Sequence, residues 1–399
     1  MKRVLVVGPA MSQSGYGEQT RFALRALREH PDKLDIYLNI INWGQTGFLH
    51  KEDEEFLWMR SLAGKTQQYT QQGGQFDVSL QVTIPNEFKK YAPINIGYTA
   101  GIETTAISPT WFEPLQMMDK VIVPSNHSKT TIVDTLFSNP QGQQFKVTTP
   151  IEVVSFPFKE VTEEPLELNL TSSKNFLAVC QWSARKNLDT LLETFYKTFK
   201  DESDVGLVLK INLTSDNEID KSLVRQRLAE FKQKFADSKC KTYLLHGSLT
   251  EGQMKSLYRN PKIVAIVNTS HGEGFGLPLF EAAENDLPVI APNWSGHLDF
   301  LTVDGKEMFS DVKYQIAAVQ PQHVWKGVIE EGTGWAYIDT AHLKKRMLEM
   351  VGSDYPRLKA RAVKHGKWVR EKFSITNQNK KFILETNGHI SVLEEMFVL

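Results

Sequence analysis

The sequence predicts an α/β protein built from two Rossmann-like domains, and three observations carry that prediction. Short β-branched runs alternate with helical periodicity through both halves of the chain. The alternation restarts after a polar stretch near the middle. The first apolar run is followed by a glycine-bearing loop, Gly8-Pro-Ala-Met-Ser-Gln-Ser-Gly15-Tyr-Gly17, and then by a helical pattern. At 399 residues the chain is long enough for two or three domains with ample core.

In the first half the candidate strands are Val4–Val7, Ile36–Ile41, Val78–Val82, Ile94–Tyr98, Val121–Val123 and Val153–Ser155. The run Val4–Val7 is too short for a signal-peptide core or a membrane span, so it reads as a first buried strand. After the glycine loop, Phe22, Ala23, Ala26 and Leu27 recur at helical spacing. From Pro157 to about Ser173 the chain is polar, with Glu160, Glu163, Glu164 and Pro165, and lacks an apolar period, which places the linker there. The second series has strands at Phe176–Val179, Gly206–Ile211, Thr242–Leu245, Ile263–Val267 and Val289–Ala291. Its helices are Leu188–Phe199, Leu223–Phe235 and Gln253–Tyr258. Helical patterns at Ala341–Met350, Arg357–Lys372 and Gln378–Glu385 end the chain, and no internal repeat or low-complexity segment occurs.

Composition removes several function classes. Lys plus Arg total 46 against 47 for Asp plus Glu, so nothing in the net charge of −1 draws the chain toward nucleic acid or an anionic membrane. Two cysteines, Cys180 and Cys240, form no disulfide framework and no zinc spacing, which suits a reducing cytoplasm. No apolar stretch approaches the ~20 residues that cross a bilayer. No Asp-x-Asp metal pair stands out, and Asp201-Glu-Ser-Asp204 and Glu52-Asp-Glu-Glu55 read as solvated surface acids. Phe88-Lys-Lys-Tyr91 reads as a solvated helix face, with peripheral membrane contact left open.

The chemistry concentrates in Asn268-Thr-Ser-His271-Gly-Glu273-Gly-Phe-Gly-Leu-Pro-Leu-Phe-Glu281. A buried strand ends near Val267, a glycine-rich loop follows, and a helix starts near Leu277 with Pro278 in its first turn. Backbone N–H groups at such a helix start, together with its positive end, suit a phosphate. Gly272, Gly274 and Gly276 allow the backbone to approach a ligand closely. Glu273 and Glu281 stand eight positions apart, and a carboxylate can accept two hydrogen bonds from vicinal sugar hydroxyls. Taken alone, the pair favours a plainer reading, with Glu273 a partner of the helix dipole and Glu281 a solvated helix residue. His271 and His297 are read as structural.

This segment resembles the glutamate-x7-glutamate signature of the retaining GT-B glycosyltransferases, family 4 in particular, together with the Leu287-Pro-Val-Ile-Ala291 strand and the Ser295-Gly296 turn. The resemblance extends over nearly the whole second half, including Leu245-His-Gly-Ser-Leu-Thr-Glu-Gly-Gln-Met-Lys-Ser-Leu-Tyr258. It implies Glu281 on the ribose hydroxyls of a nucleotide-sugar, Glu273 near the donor sugar, and backbone N–H groups of Gly274, Phe275, Gly276 and Leu277 at the sugar and diphosphate. Gln181-Trp-Ser-Ala-Arg185-Lys186-Asn-Leu-Asp is similar to the family's Arg-Lys element, which implies that Arg185 and Lys186 stabilise the leaving diphosphate without a metal. Many members carry an earlier Gly-Arg, where this chain has Cys180-Gln181, so the division of labour stays open.

In the first half, Gly15-Tyr-Gly17 resembles the family's N-terminal glycine loop, which faces donor phosphate and acceptor. Gly97-Tyr-Thr-Ala-Gly-Ile-Glu103 resembles a segment where many relatives place a histidine near the reacting sugar and others a glutamate. Glu103 is therefore read either as orienting or deprotonating the acceptor, or as a buried acid holding Thr104 or a neighbouring loop. Ser125 is expected to cap the helix through Lys129 and Ile132.

The resemblance thus implies a GT-B fold, with two Rossmann-like domains facing across a cleft. Residues 1–160 form an acceptor domain, joined by a C-terminal helix at about 376–399, and residues 161–375 form a nucleotide-sugar donor domain. The implied activity is transfer of a hexosyl or pentosyl group from a nucleotide-diphospho-sugar to an acceptor hydroxyl, retaining, in the cytoplasm, with no cofactor and no metal. The default acceptor is a glycan or lipid-linked sugar. The alternatives are phage-type glycosylation of modified DNA bases, a phosphorylase or epimerase, and a non-catalytic nucleotide-sugar-binding protein. Donor base and sugar, acceptor and oligomeric state are not legible.

Overall fold

The computed structural model describes residues 1–44, 46–49 and 52–386. The chain divides into two compact units. Unit 1 comprises Met1–Pro157, Val319–Thr333 and the chain from Phe373 onward; unit 2 comprises Phe158–Ala318 and Gly334–Lys372.

Unit 1 is built on six strands, β1 (Lys2–Gly8), β2 (Leu34–Ile40), β3 (Val78–Val82), β4 (Ile94–Tyr98), β5 (Lys120–Val123) and β6 (Ile151–Val153), ordered β2-β1-β3-β4-β5-β6 with every pairing parallel. The last strand lies two residues ahead of the expected Val153–Ser155, because Ile151 to Val153 pair with Val121 to Val123. Helices α1 (Gly15–Arg28), α2 (Glu54–Gln71) and α3 (Asn126–Asp134) connect the strands. Val4, Val6, Leu80 and Ile96 of the sheet pack with Phe22, Ala23 and Ala26 of α1 in one buried cluster.

Helix α2 was not foreseen. Only Met59, Leu62 and Thr66 of its eighteen residues are buried, a stripe too thin to stand out against Glu, Gln, Lys and Thr. The acids at its start are not merely solvated, as the sequence suggested. Asp53 caps the helix by accepting from the Phe56 N–H, and Glu55 accepts from both Nε and Nη2 of Arg25 on α1. Phe88-Lys-Lys-Tyr91 likewise forms no helix face. It follows a single 3-10 turn at Pro85–Glu87, Phe88 is buried against Gly97, and Gln81 grips the Lys89 backbone through both N–H and C=O.

Unit 2 also holds six strands, β7 (Lys174–Gln181), β8 (Val205–Asn212), β9 (Lys241–Leu245), β10 (Ile263–Val267), β11 (Val289–Pro292) and β12 (Ser310–Val312), parallel throughout but ordered β9-β8-β7-β10-β11-β12, with its first strand third from the edge where β1 is second. Its helices are α4 (Leu188–Thr198), α5 (Glu218–Gln233), α6 (Glu251–Arg259), α7 (Leu277–Glu284), α8 (Thr340–Val351) and α9 (Tyr355–Lys372). Helix α6 opens with a reciprocal Thr250–Gln253 capping box. An antiparallel hairpin, β13 (Tyr314–Ala318) with β14 (Gly334–Ile338), was also not foreseen, and the fifteen-residue excursion between its strands groups with unit 1. The expected linker is not a loose tether. Val161 O accepts from Lys255, Glu164 N donates to Gly252 O, and Lys262 donates to Leu170 O, so the stretch is laid along unit 2 as an extended strap.

The last described helix, α10 (Ile375–Thr386), packs on unit 1. Phe382 is fully buried, 5.3 Å from the Phe22 ring and 5.5 Å from the Tyr98 ring. Burying such a side chain stabilises by roughly 1.5–3 kcal/mol, which accounts for the return of the chain to unit 1. Residues 387–399 of the expected helix lie outside the described residues.

Candidate active site

In both units the strand order reverses direction beside the first strand, between β1 and β3 and between β7 and β10. Loops leaving the carboxyl ends of the strands at such a switch point form the ligand crevice of open α/β sheets. In unit 2 those loops are the Ala184–Lys186 turn after β7 and the 268–276 loop after β10.

The two loops are stitched together. The His271 N–H donates to Arg185 O at 2.8 Å, and the Thr269 hydroxyl donates to Asn187 O at 3.0 Å. Between them lies Glu273, 5% exposed. Its Oε1 accepts from Lys186 Nζ at 2.6 Å, Ser270 Oγ at 2.7 Å and Asn268 Nδ2 at 3.0 Å, and its Oε2 lies 3.3 Å from Arg185 Nη1. Burial acts to raise the carboxyl pKa, but the Lys186 and Arg185 charges and the two hydrogen bonds outweigh it and hold Glu273 well below the usual carboxylate range. The signature glutamate is thus an ionised anchor that aims both cations expected at the diphosphate. Arg185 Nη1 is further fixed on Gly272 O at 2.7 Å.

The Ser295-Gly296 turn grips the same loop by its backbone. The Glu273 N–H donates to Ser295 Oγ at 3.0 Å, and the Gly296 N–H donates to Glu273 O at 2.8 Å. Gly276 caps α7 with φ +93°, a left-handed conformation that a side chain would strain, so α7 begins sharply at Leu277 beside the cationic pair. Phe275 turns its ring into the core against Phe280 and Phe300, leaving only its backbone to face a ligand.

Glu281 sits one turn into α7 and accepts from the Tyr258 hydroxyl of α6 at 2.8 Å. Burial together with the Glu281 charge holds the Tyr258 hydroxyl protonated, as a donor. One turn on, burial first and the Glu281 charge second push the Glu284 carboxyl up to about 9.

Sequence reasoning missed Asn268, Ser270 and Tyr258 as partners of the two glutamates. It also missed a buried pair on the same sheet edge, where His246 Nε2 lies 2.7 Å from Asp220 Oδ1, with side chains 1% and 2% exposed. Asp220 also accepts the N–H groups of Leu213, Thr214 and Ser215, which ties the loop after β8 to the loop after β9. No spacing signal joins a residue in the first turn of α5 to a loop residue 26 positions on. The two histidines beside the signature are structural. The His271 ring lies against Trp335 at 4.4 Å with Nδ1 2.6 Å from Ala336 O, and His297 Nε2 lies 2.7 Å from Pro292 O, with burial lowering its pKa.

In unit 1, Gly15 and Gly17 form the first turn of α1 rather than a loop, capped by Ser14 Oγ accepting from the Gly17 N–H. A Cβ on Gly17 would stand 2.0 Å from Ser12 O. Arg21 holds the preceding turn through the Ala10 and Ser12 carbonyls at 2.7 and 2.9 Å. Between these glycines, Tyr16 packs on Trp43 at 4.2 Å, and its hydroxyl is 2.7 Å from Thr99 Oγ1. Burial raises the Tyr16 pKa, and the Glu103 and Glu87 charges add to the rise, so Glu103 is within electrostatic reach of the glycine turn. Glu103 is half-buried, and Thr104 donates its hydroxyl to Ala106 O. Ser125 caps α3 as expected, accepting from the Ser128 N–H.

Among the described residues no group of three or more His, Cys, Asp or Glu could hold a metal ion, and no helix is long and apolar enough to cross a membrane.

No protein-family model and no curated protein matches the sequence. Solved structures do match the fold. Sucrose-phosphate synthase from Thermosynechococcus elongatus superposes with a TM-score of 0.64 at 13% identity, over 98% of this chain and all of that one. Anabaena HepE, in complex with UDP and glucose, gives 0.59 at 12% over 97% of this chain and all of that one. A mutant of S. aureus TarM in complex with fondaparinux, α-GlcNAc-glycerol and UDP gives 0.51 at 15% over 78% of this chain, which spans 55% of the TarM chain. Two parallel six-stranded sheets, each reversing its order beside its first strand, together with these likenesses, establish that the chain has the two-domain GT-B glycosyltransferase fold.

Proposed function

We propose that the protein transfers a sugar from a nucleotide-diphospho-sugar, UDP-linked in the first instance, to an acceptor hydroxyl with retention at the anomeric carbon and without a metal. The observation that carries the reading is the buried Glu273 holding Arg185 and Lys186 side by side next to the α7 N-terminus. As the bond between the anomeric carbon and the diphosphate oxygen breaks, negative charge grows on the leaving phosphate. A guanidinium and an ammonium already fixed in place stabilise that charge with little reorganisation. The acceptor oxygen bonds to the anomeric carbon on the same face, and its proton passes to the leaving phosphate oxygen. In this reading Glu281 holds the ribose hydroxyls, and the backbone of Gly274 to Leu277 meets the sugar and diphosphate. Gly15 and Gly17 of unit 1 face the donor phosphate, and Glu103 orients the acceptor. The UDP in the HepE and TarM complexes supports the choice of nucleotide.

A thermal-shift panel of UDP-, GDP-, ADP-, CMP- and dTDP-sugars tests it on wild type and Glu281→Ala. A ligand at ~100 times its Kd stabilises by ~2.7 kcal/mol. The expected result is a shift selective for one nucleotide, lost in Glu281→Ala, with Lys186→Ala retaining binding and losing turnover. A folded protein that responds to no donor would refute the reading.

A further inference from the structure

The excursion between β13 and β14 carries an aromatic group that the site above does not use. Trp325 is 63% exposed. An isolated exposed apolar side chain is ordinary, but this one stands on a backbone fixed at every side. Trp325 and Ile329 exchange backbone hydrogen bonds in both directions, at 2.9 and 2.7 Å, and the Val328 N–H also donates to Trp325 O at 2.9 Å. The turn is completed by Gly327 at φ +88°, where a side chain would be strained.

This small loop is clamped to the rest of unit 1. The Trp111 indole N–H donates to Gly327 O at 2.8 Å. Glu330 Oε1 accepts the Gly327 N–H at 2.8 Å and the Ser108 hydroxyl at 2.5 Å. Val328 packs on the cluster that contains Trp111, Ile102 and Ile107, and Ile329 is buried. The anchoring residues Ser108 and Trp111 belong to the connection that leaves the carboxyl end of β4, the same connection that carries Glu103. The loop is thus held inward by Val328, Ile329 and Glu330 and leaves the Trp325 indole in solvent.

We propose that Trp325 is a stacking platform for a pyranose ring of the acceptor, so that the acceptor is a carbohydrate chain. The inference rests on the glycosyltransferase reading for sugar as the ligand class. An indole offers a large flat apolar surface at small conformational cost, and a rigid support removes most of the ordering penalty on binding. The apolar face of a pyranose, formed by its axial C–H groups, matches such a surface, while exposed Gln320, Gln322 and Glu331 on the same excursion supply groups suited to ring hydroxyls. The charges between Val319 and Thr333 are one lysine, Lys326, against Glu330 and Glu331, so the surface lacks the basic cluster that holds an anionic bilayer.

The test uses the full chain, wild type, Trp325→Ala and Trp325→Phe. Binding is screened on an array of hexose, N-acetylhexosamine and pentose oligosaccharides, and the best probe is titrated by calorimetry. The expected result is binding of an oligosaccharide by wild type, roughly tenfold weaker in Trp325→Ala and largely kept in Trp325→Phe. Wild-type affinity in Trp325→Ala, or no oligosaccharide bound by wild type, overturns the proposal. So does Trp325-dependent binding to phosphatidylserine vesicles in place of glycan. A UDP thermal shift in all three chains reports separately on fold and on the donor site. Wild type failing to respond to UDP counts against the donor reading, while Trp325-dependent glycan affinity still supports this one.

Discussion

Replacing Glu273 by Gln keeps the shape of the side chain and removes the charge that organises the cationic pair. Glu273 is 6% exposed at its side chain, Lys186 13% and Arg185 24%. Removing one member of a buried charge pair costs about 3–5 kcal/mol, because the remaining charge loses its partner but not its burial. Lys186 and Arg185 keep some solvent, and the Gln amide oxygen still accepts from Ser270 or Asn268, so roughly 2–4 kcal/mol is expected here. In a unit of about 200 residues each kcal/mol moves Tm by about 2–4 °C, which gives a fall of roughly 4–16 °C in differential scanning calorimetry. The same change raises the net charge of the Arg185–Lys186–Glu273 cluster from +1 to +2. UDP, which brings the missing negative charge, should therefore bind Glu273→Gln severalfold more tightly than wild type at low salt, with the gain shrinking as salt is added. Turnover should fall, because the cations would no longer be aimed. Stability and donor affinity thus move in opposite directions, which a general packing defect does not produce. An unchanged Tm together with unchanged or weaker UDP binding would sink the argument that Glu273 organises the cations.

Three further outcomes follow from the geometry. Glu284, whose carboxyl is pushed up to about 9, keeps its proton in the folded chain between about pH 5 and 9 while the unfolded chain has released it, so stability should decline as pH rises through that window. Glu284→Gln should flatten that decline in a Tm-versus-pH series, and an identical slope would show that the group does not titrate this way. Asp220→Ala should lower stability to urea by about 3–5 kcal/mol, since it strips three backbone N–H groups and His246 of their shared acceptor; a loss under 1 kcal/mol would mean that water replaces the carboxylate. Gly296→Ala would place a Cβ 2.0 Å from Gly274 O, costing about 1–3 kcal/mol or more and loosening the backbone hold on Glu273. Its UDP response should fall, and a wild-type response would contradict the close approach.

Much of the 268–276 loop was legible because its chemistry is local. Gly276, Leu277 and Pro278 announce a strand-to-helix turn in consecutive letters, and Ser125 announces a helix cap in the same way. Helix α2 was not legible, because a helix that buries three side chains carries almost no apolar period. The 314–338 hairpin was not legible either. Tyr314–Ala318 is largely exposed and draws its register from pairing with Gly334–Ile338, across an excursion held by the other unit.

The sequence by itself determined the α/β class, the six strands of the first sheet, five of the six of the second and the position of the signature loop, since strand and helix periodicity and turn residues act over a few residues; the edge strand Ser310–Val312 is too short to carry such a signal. It singled out Arg185 and Lys186 on one segment and Glu273 and Glu281 on another, with nothing to join the two. Only the tertiary structure decided that Glu273 is the common anchor of Arg185 and Lys186, that Tyr258 holds Glu281, and that Phe275 belongs to the core. Those relations span 23 to 88 residues and arise where parallel strands bring loop ends to one edge of a sheet. A charge pair of that range leaves no period in the sequence, because its two members are related by folding and not by spacing.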